Sequence, residues 1–233
     1  MTTRITLEPA YVLHRRPYRN TSLIVELFSQ HYGRVSVVAK SARGFKSRYR
    51  GALDLFSPLL VSWVGQRELK TLGNIELHDS PLMLEQSALL CGFYMNELLM
   101  RLLQRDDPYP DLFIFYQQTL RQLLQRNSLS LLLRQFEKKL LEELGYGLPL
   151  HREFQSGLPI DPNAYYEYIP DQGFLRSEKK VPDAFVFLGH SLIALNTGHF
   201  HEEKTLQDIK RLMRMAIACH LGSKPLRSRE LLR

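Results

Sequence analysis

Near residue 80 the hydrophobic pattern changes period, and no other feature constrains the chain so tightly. Before that point apolar residues alternate. "SLIVELFSQ" is rich in the β-branched and aromatic residues that suit a pleated, half-buried surface. In "RVSVVAK", Val35, Val37 and Ala39 fall on one face. After it, "PLMLEQSALLCGFYMNELLMRLLQ" carries apolar residues at helical spacing. A period of two lines one face of a strand, and a period of 3.6 lines one face of a helix. The chain therefore divides into a strand-rich domain, residues 1–80, and a helical domain, residues 81–233.

The strands can be followed in order. "PAYVLHRRPY" alternates and breaks at Pro17. "SLIVELFSQ" follows, "HYG" turns, and "RVSVVAK" returns. "SPLLVSWVG" and "ELKTLGNIEL" form a pair across Gly65-Gln66-Arg67, a short hairpin loop. Five short strands in some 80 residues predict a small closed barrel, and the OB-fold is the commonest five-stranded one. Trp63 in "LLVSWVG" could stack a base, but a lone Trp in such a run is more often core. The first helix begins at Pro81 and ends before Asp106-Asp107-Pro108. The second, "DLFIFYQQTLRQLLQRN", has Asp111 as its N-cap. The third, "SLSLLLRQFEKKLLEELGYG", starts near Ser128 or Ser130 and stops at Gly145. Residues 146–181, rich in Pro, Gly and Tyr, read as an irregular insertion. "DAFVFLGHSLIALN" and "TLQDIKRLMRMAIACHLG" read as two more helices, and "PLRSRELLR" as a short basic helix or tail. The fold class is α+β, an OB barrel followed by an all-helical domain.

Charge is segregated along the chain. The net charge is +7. Residues 1–80 hold 12 Lys and Arg against 6 Asp and Glu, residues 81–203 hold 11 against 16, and residues 204–233 hold 8 against 2. Both ends are basic and the middle is acidic, which points to a polyanion on the basic parts. The sharpest local signal runs from Arg34 to Arg50. Arg34, Lys40, Arg43, Lys46, Arg48 and Arg50 stand in 17 residues without an Asp or Glu, with Phe45 and Tyr49 between them. Cations meet phosphates and flat rings meet unstacked bases, so this loop is the main candidate nucleic-acid contact. Arg15, Arg16 and Arg19 form a second cluster at the junction of the first two strands. Lys210, Arg211, Arg214, Lys224, Arg227, Arg229 and Arg233 form a third, in which Arg211 and Arg214 are neighbours on one helix face.

Motifs for bond chemistry are missing from the sequence. There is no C-x-x-C or H-E-x-x-H, no phosphate-binding G-x-x-x-x-G-K-[ST], no G-x-G-x-x-G and no G-x-S-x-G. The expectation is a protein without metal or cofactor that is not an enzyme. Cys91 and Cys219 read as reduced and buried. No apolar run reaches the ~18 residues of a membrane span, and Met1 to Pro9 has no apolar signal core. A cytoplasmic location follows. On the third helix, Leu131 and Phe136 lie beside Arg134 and Lys138. Arg next to apolar groups suits a peptide ending in a hydrophobic residue and a carboxylate, although composition alone favours a plain amphipathic helix.

Several stretches together resemble a known family. They are "AYVLHRRPYRNTSLIVELFSQHYGRVSVVAKSAR", "LDLFSPLLVSWVGQRELKTLGNIE", "LRQFEKKLLEELGYG" and "HLGSKPLRSREL". The combination R-P-Y-x-x-x-S-L, G-R-x-x-x-V-A-K and K-P-L-x-S-R-E is similar to the RecO family of bacterial recombination mediators, over essentially the whole chain. The resemblance implies an OB-fold followed by a helical domain. It implies binding of single- and double-stranded DNA, annealing of complementary strands, and work with RecR to load RecA onto DNA coated by single-strand binding protein. That coat protein's acidic, Phe-ending tail would dock in the helical domain, with Arg134 as the residue to meet its carboxylate. A nucleoid association goes with this reading. One departure stands out. Many members carry a four-cysteine zinc module after L-G-Y-G, whereas residues 146–181 here contain no cysteine. An RNA-binding barrel protein and a protein-binding adaptor are the rival functions.

Overall fold

The computed structural model describes residues 3–45, 47–49, 51–125, 128–178, 185–200 and 202–231. The strand-rich region forms β1 (Arg4–Tyr18), β2 (Ser22–Ser29), β3 (Gly33–Ala39), β4 (Leu59–Val64) and β5 (Leu69–Leu77). They close into a barrel in the order β1-β2-β3-β5-β4, with β1 and β4 completing the ring. Only β3 and β5 run parallel. This is the OB-fold. Alternate residues fill its interior: Val25 and Leu27, Val35 and Val37, Val61 and Trp63 are all buried. Pro17 does not break β1. It pairs opposite Leu23 near the strand end, where a missing N–H is tolerated.

Two helices cover the outside of β1 and β2. α1 spans Gln86–Leu102 and α2 spans Pro110–Leu123. Tyr11 and Phe28 point outward from the barrel and meet Phe113 and Tyr116 at centroid distances of 5.3 to 5.9 Å. β2 is therefore buried on both faces, which explains its unbroken run of buried residues from Ile24 to Ser29, Glu26 among them. A short polar chain threads this layer. Tyr116 Oη donates to Asn96 Oδ1 at 2.6 Å, and Asn96 Nδ2 donates to the Leu13 carbonyl at 3.1 Å. α1 starts at Gln86 rather than Pro81: Leu82 N–H donates to the Phe56 carbonyl, Leu84 N–H turns back to the Leu82 carbonyl, and the N-cap Glu85 is extended. The N-cap of α2 is Tyr109 with Pro110 after it; Asp111 sits in the first turn, where its charge favours the helix dipole.

The chain divides into two compact units. One comprises Met1–Asn127 and Leu226–Arg233, the other Ser128–Pro225. Residue 80 thus marks a change of period, whereas α1 and α2 share a unit with the barrel. The basic segment at the end returns to that unit through α6 (Ser228–Leu231), which packs on α1. Glu97 of α1 accepts hydrogen bonds from Arg227 N, Ser228 N and Ser228 Oγ.

The second unit is built on α3 (Leu129–Glu143), α4 (Gly189–Thr197) and α5 (Glu203–Leu221). It is not purely helical. Residues 146–181, expected to be irregular, contain β6 (Tyr165–Ile169) and β7 (Gly173–Arg176). Within the presumed helix over "DAFVFLGHSLIALN", whose first two residues lie outside the described ones, Val186–Leu188 instead form β8, paired with β6. Strands of three to five residues are too short to display an alternation. Gly189 lets helix follow strand at once, since a Cβ there would lie 2.0 Å from the Asp161 carbonyl oxygen. Cys91 is buried, but Cys219, expected inside, is exposed. No described helix is long and apolar enough to cross a membrane.

Candidate nucleic-acid interface

The turn between β1 and β2 and the long connection from β3 to β4 meet at one end of the barrel. Register explains it. Tyr18 pairs with Ser22 and Leu23 pairs with Ala39, so β1, β2 and β3 end level with one another. Two links then tie the connection down. Arg43 N–H donates to the Thr21 carbonyl at 2.8 Å. Arg15 Nη1 donates to the Leu53 carbonyl at 3.1 Å and pairs with Asp54 Oδ1 at 2.8 Å. Two basic clusters far apart in sequence thus converge. Arg15, Arg16 and Arg19 come from one side, and Lys40, Arg43 and Arg48 from the other; all six are exposed. Lys46 and Arg50 lie outside the described residues.

The two aromatics of this loop have opposite placements. Tyr49, expected to stack on a base, is buried in the barrel core. Its hydroxyl lies 3.2 Å from the carbonyls of Leu72 and Gly73. Arg48 lies over its ring at 4.8 Å and donates to the same hydroxyl at 2.5 Å. Tyr49 is thus the plug that pins the loop to the barrel mouth. Phe45 is 86% exposed near the loop tip and is the aromatic that remains accessible to a base.

Arg34 does not join the cluster. It is the second residue of β3, opposite Phe28, while Lys40 follows the strand's far end, about 20 Å away at roughly 3.3 Å per residue. Its Nη1 donates to the Met100 carbonyl, and Asp106 N–H donates back to the Arg34 carbonyl. Burial lowers its pKa, opposed by the Glu26 carboxylate and aided by Arg105. Arg34 ties the barrel to the end of α1.

The candidates in the second unit separate in the same way. Arg211 donates to the Val186 carbonyl at 2.8 Å and to Asp208 Oδ1 at 2.9 Å, and lies 4.3 Å over the Phe187 ring. It holds α5 to β8. Arg214 is exposed. On α3, Arg134 and Phe136 face inward. Arg134 is buried and pairs with the fully buried Glu137 at 2.8 Å. The outward face carries Leu131, half-buried, and Lys138, which pairs with Glu142 at 3.1 Å. Composition alone did not separate these faces, though the Arg134–Glu137 spacing of three residues was a legible hint of an ion pair. Among the described residues no group of three His, Cys, Asp or Glu is placed to hold a metal ion.

Comparison with known proteins agrees with the barrel and the helices. The model of Recombination protein O N terminal matches residues 1–81, and that of Recombination protein O C terminal matches residues 84–230. The chain belongs to the recombination protein O family. Its relatives in the family include the DNA repair protein RecO of Coxiella burnetii (strain RSA 493 / Nine Mile phase I), 55% identical over 232 residues and 100% of both chains. The DNA repair protein RecO of Azoarcus sp. (strain BH72) is 44% identical, covering 98% of this chain and 96% of its own. That of Methylococcus capsulatus is 45% identical, covering 99% and 94%. The two family models meet between residues 81 and 84, where the hydrophobic period changes.

Proposed function

We propose that this member of the family is a recombination mediator in DNA repair. It binds single- and double-stranded DNA, anneals complementary strands and, with RecR, helps RecA to load onto DNA coated by single-strand binding protein. The main phosphate contacts belong to the barrel domain, residues 1–80. The partner work belongs to residues 81–233, with Leu131 and Lys138 on the outward face of α3 as contacts for the coat protein's tail. The observation that carries the reading is the Arg43–Thr21 link, which gathers six exposed cations and Phe45 at one barrel end. Two DNA strands repel each other. A surface that neutralises both lets complementary bases meet, with no bond made or broken.

Annealing of complementary oligonucleotides, free and coated, tests this. Wild-type protein should accelerate both reactions. Single-strand affinity should fall with salt at a slope of roughly −0.7 per contacted phosphate. Changing Arg43 and Arg48 to Glu should weaken binding about tenfold or more and flatten the slope by about 1 to 2. Unchanged affinity and slope in that variant would refute the interface.

A further inference from the structure

The end of α3 builds a second feature within Ser128–Pro225. The chain leaves the helix through Gly145 at φ +80. Gly145 N–H donates to the Glu142 carbonyl and Tyr146 N–H to the Leu141 carbonyl at 2.8 Å. In this helix stop the residue after the glycine ordinarily folds an apolar side chain back onto the helix. Tyr146 remains 51% exposed. Its ring lies flat on the His220 imidazole of α5, with centroids 3.9 Å apart and planes 16° apart. The stack orients an aromatic face that solvent still reaches.

Beside this stack opens a cavity of about 270 Å³, lined by Tyr146, Leu148, Tyr168, Asp171, Gln172 and His220, with glycine backbone between them. It is smaller than the space a drug-sized ligand occupies, and it suits a single planar group. Charge narrows the choice. Among the described residues no Lys or Arg lines it, and one carboxylate does. A phosphate or a peptide carboxylate would face Asp171 with no Lys or Arg of the described lining to offset it. Tyr168 stays uncharged, its pKa pushed up to about 12 by burial, with Cys219 and Asp171 adding to the rise. A neutral flat ring with N–H donors on its edge meets an aromatic face, a carboxylate and an amide. An unpaired nucleobase has that shape and that edge.

We propose that this cavity is a subsite for one unpaired base of a bound strand, stacked beside Tyr146 and hydrogen-bonded at its edge by Asp171 and Gln172. The inference rests on the single-strand binding proposed above. It adds what a cation cluster lacks, because phosphate contacts do not report whether a base is paired.

The test uses the full chain and single strands carrying 2-aminopurine, a fluorescent adenine analogue, beside otherwise matched strands with abasic positions. Wild-type protein should quench the analogue and prefer the base-bearing strand. Tyr146→Ala should cut that preference about tenfold, with affinity for the abasic strand and for duplex unchanged. Tyr146→Phe should retain it, and Asp171→Asn should weaken it. An undiminished preference in Tyr146→Ala, or no preference in the wild type, overturns the subsite. Binding of a free nucleoside without quenching in the strand overturns the strand as its source. Loss of all affinity for abasic strand and duplex would instead sink the mediator reading, and this inference with it.

Discussion

Single residues set tolerances here that composition does not reveal. Gly33 opens β3 at φ +62, and a Cβ there would fall 1.7 Å from the Asp107 carbonyl oxygen. Neither backbone can retreat without breaking the Arg34–Asp106 hydrogen bond. Gly33→Ala should cost about 3 kcal/mol, read as a lower urea midpoint at constant m-value. Glu97 gives a pH-dependent case. Burial raises its pKa, but the Ser228 hydroxyl, the Ser228 and Arg227 N–H groups and Arg101 outweigh burial and leave it lowered. A lowered folded pKa means stability that is complete above the ordinary value of 4.5 and fades as pH falls through the lower folded value. Glu97→Gln should therefore flatten the acid limb of the stability–pH curve between those two values, and a pH series of denaturant midpoints checks this. The Glu97–Ser228 pair is separated by 131 residues, and no local pattern in the sequence announces such a partnership.

At the scale of elements, alternation and helical period located the five barrel strands and the main helices. They failed where an element's role depends on distant packing. Tyr49 reads as a loop aromatic among arginines, yet it caps the barrel, because the long β3–β4 connection must seal an open end with something apolar. Arg134 reads as an exposed cation, yet Glu137 one turn later neutralises it inside the unit. β6 and β7 are five and four residues long, too brief for a period to register. The loop anchor can be tested directly. Tyr49→Phe keeps the buried ring and loses the hydroxyl's contacts, at about 1 kcal/mol. Tyr49→Ala empties a core site, at about 3–5 kcal/mol. Both should also weaken single-strand binding, since Arg43 and Arg48 lose their fixed backbone. If thermal unfolding shows the expected losses and DNA affinity does not move, loop order is irrelevant to binding.

For the whole molecule, charge segregation along the sequence did not translate into three separate surfaces. Of the C-terminal basic cluster, Lys210, Arg211, Arg214 and Lys224 belong to one unit, whereas Arg227 and Arg229, in the segment from Leu226 onward, belong with the barrel. Ending the chain after Pro225 removes buried Leu226 and leaves Glu97 without its donors. The barrel unit should lose about 2 kcal/mol or more, and hydrogen exchange along α1 should quicken while α3 and α5 keep their protection. The fold-back of α6 onto α1 also has a consequence in time. Synthesis delivers the barrel first, the entire second unit next, and the strap that finishes the first unit last. A nascent chain therefore carries an incomplete barrel unit throughout translation of some hundred residues, its α1 flank open to water or to a chaperone, and it is stitched shut only at the close.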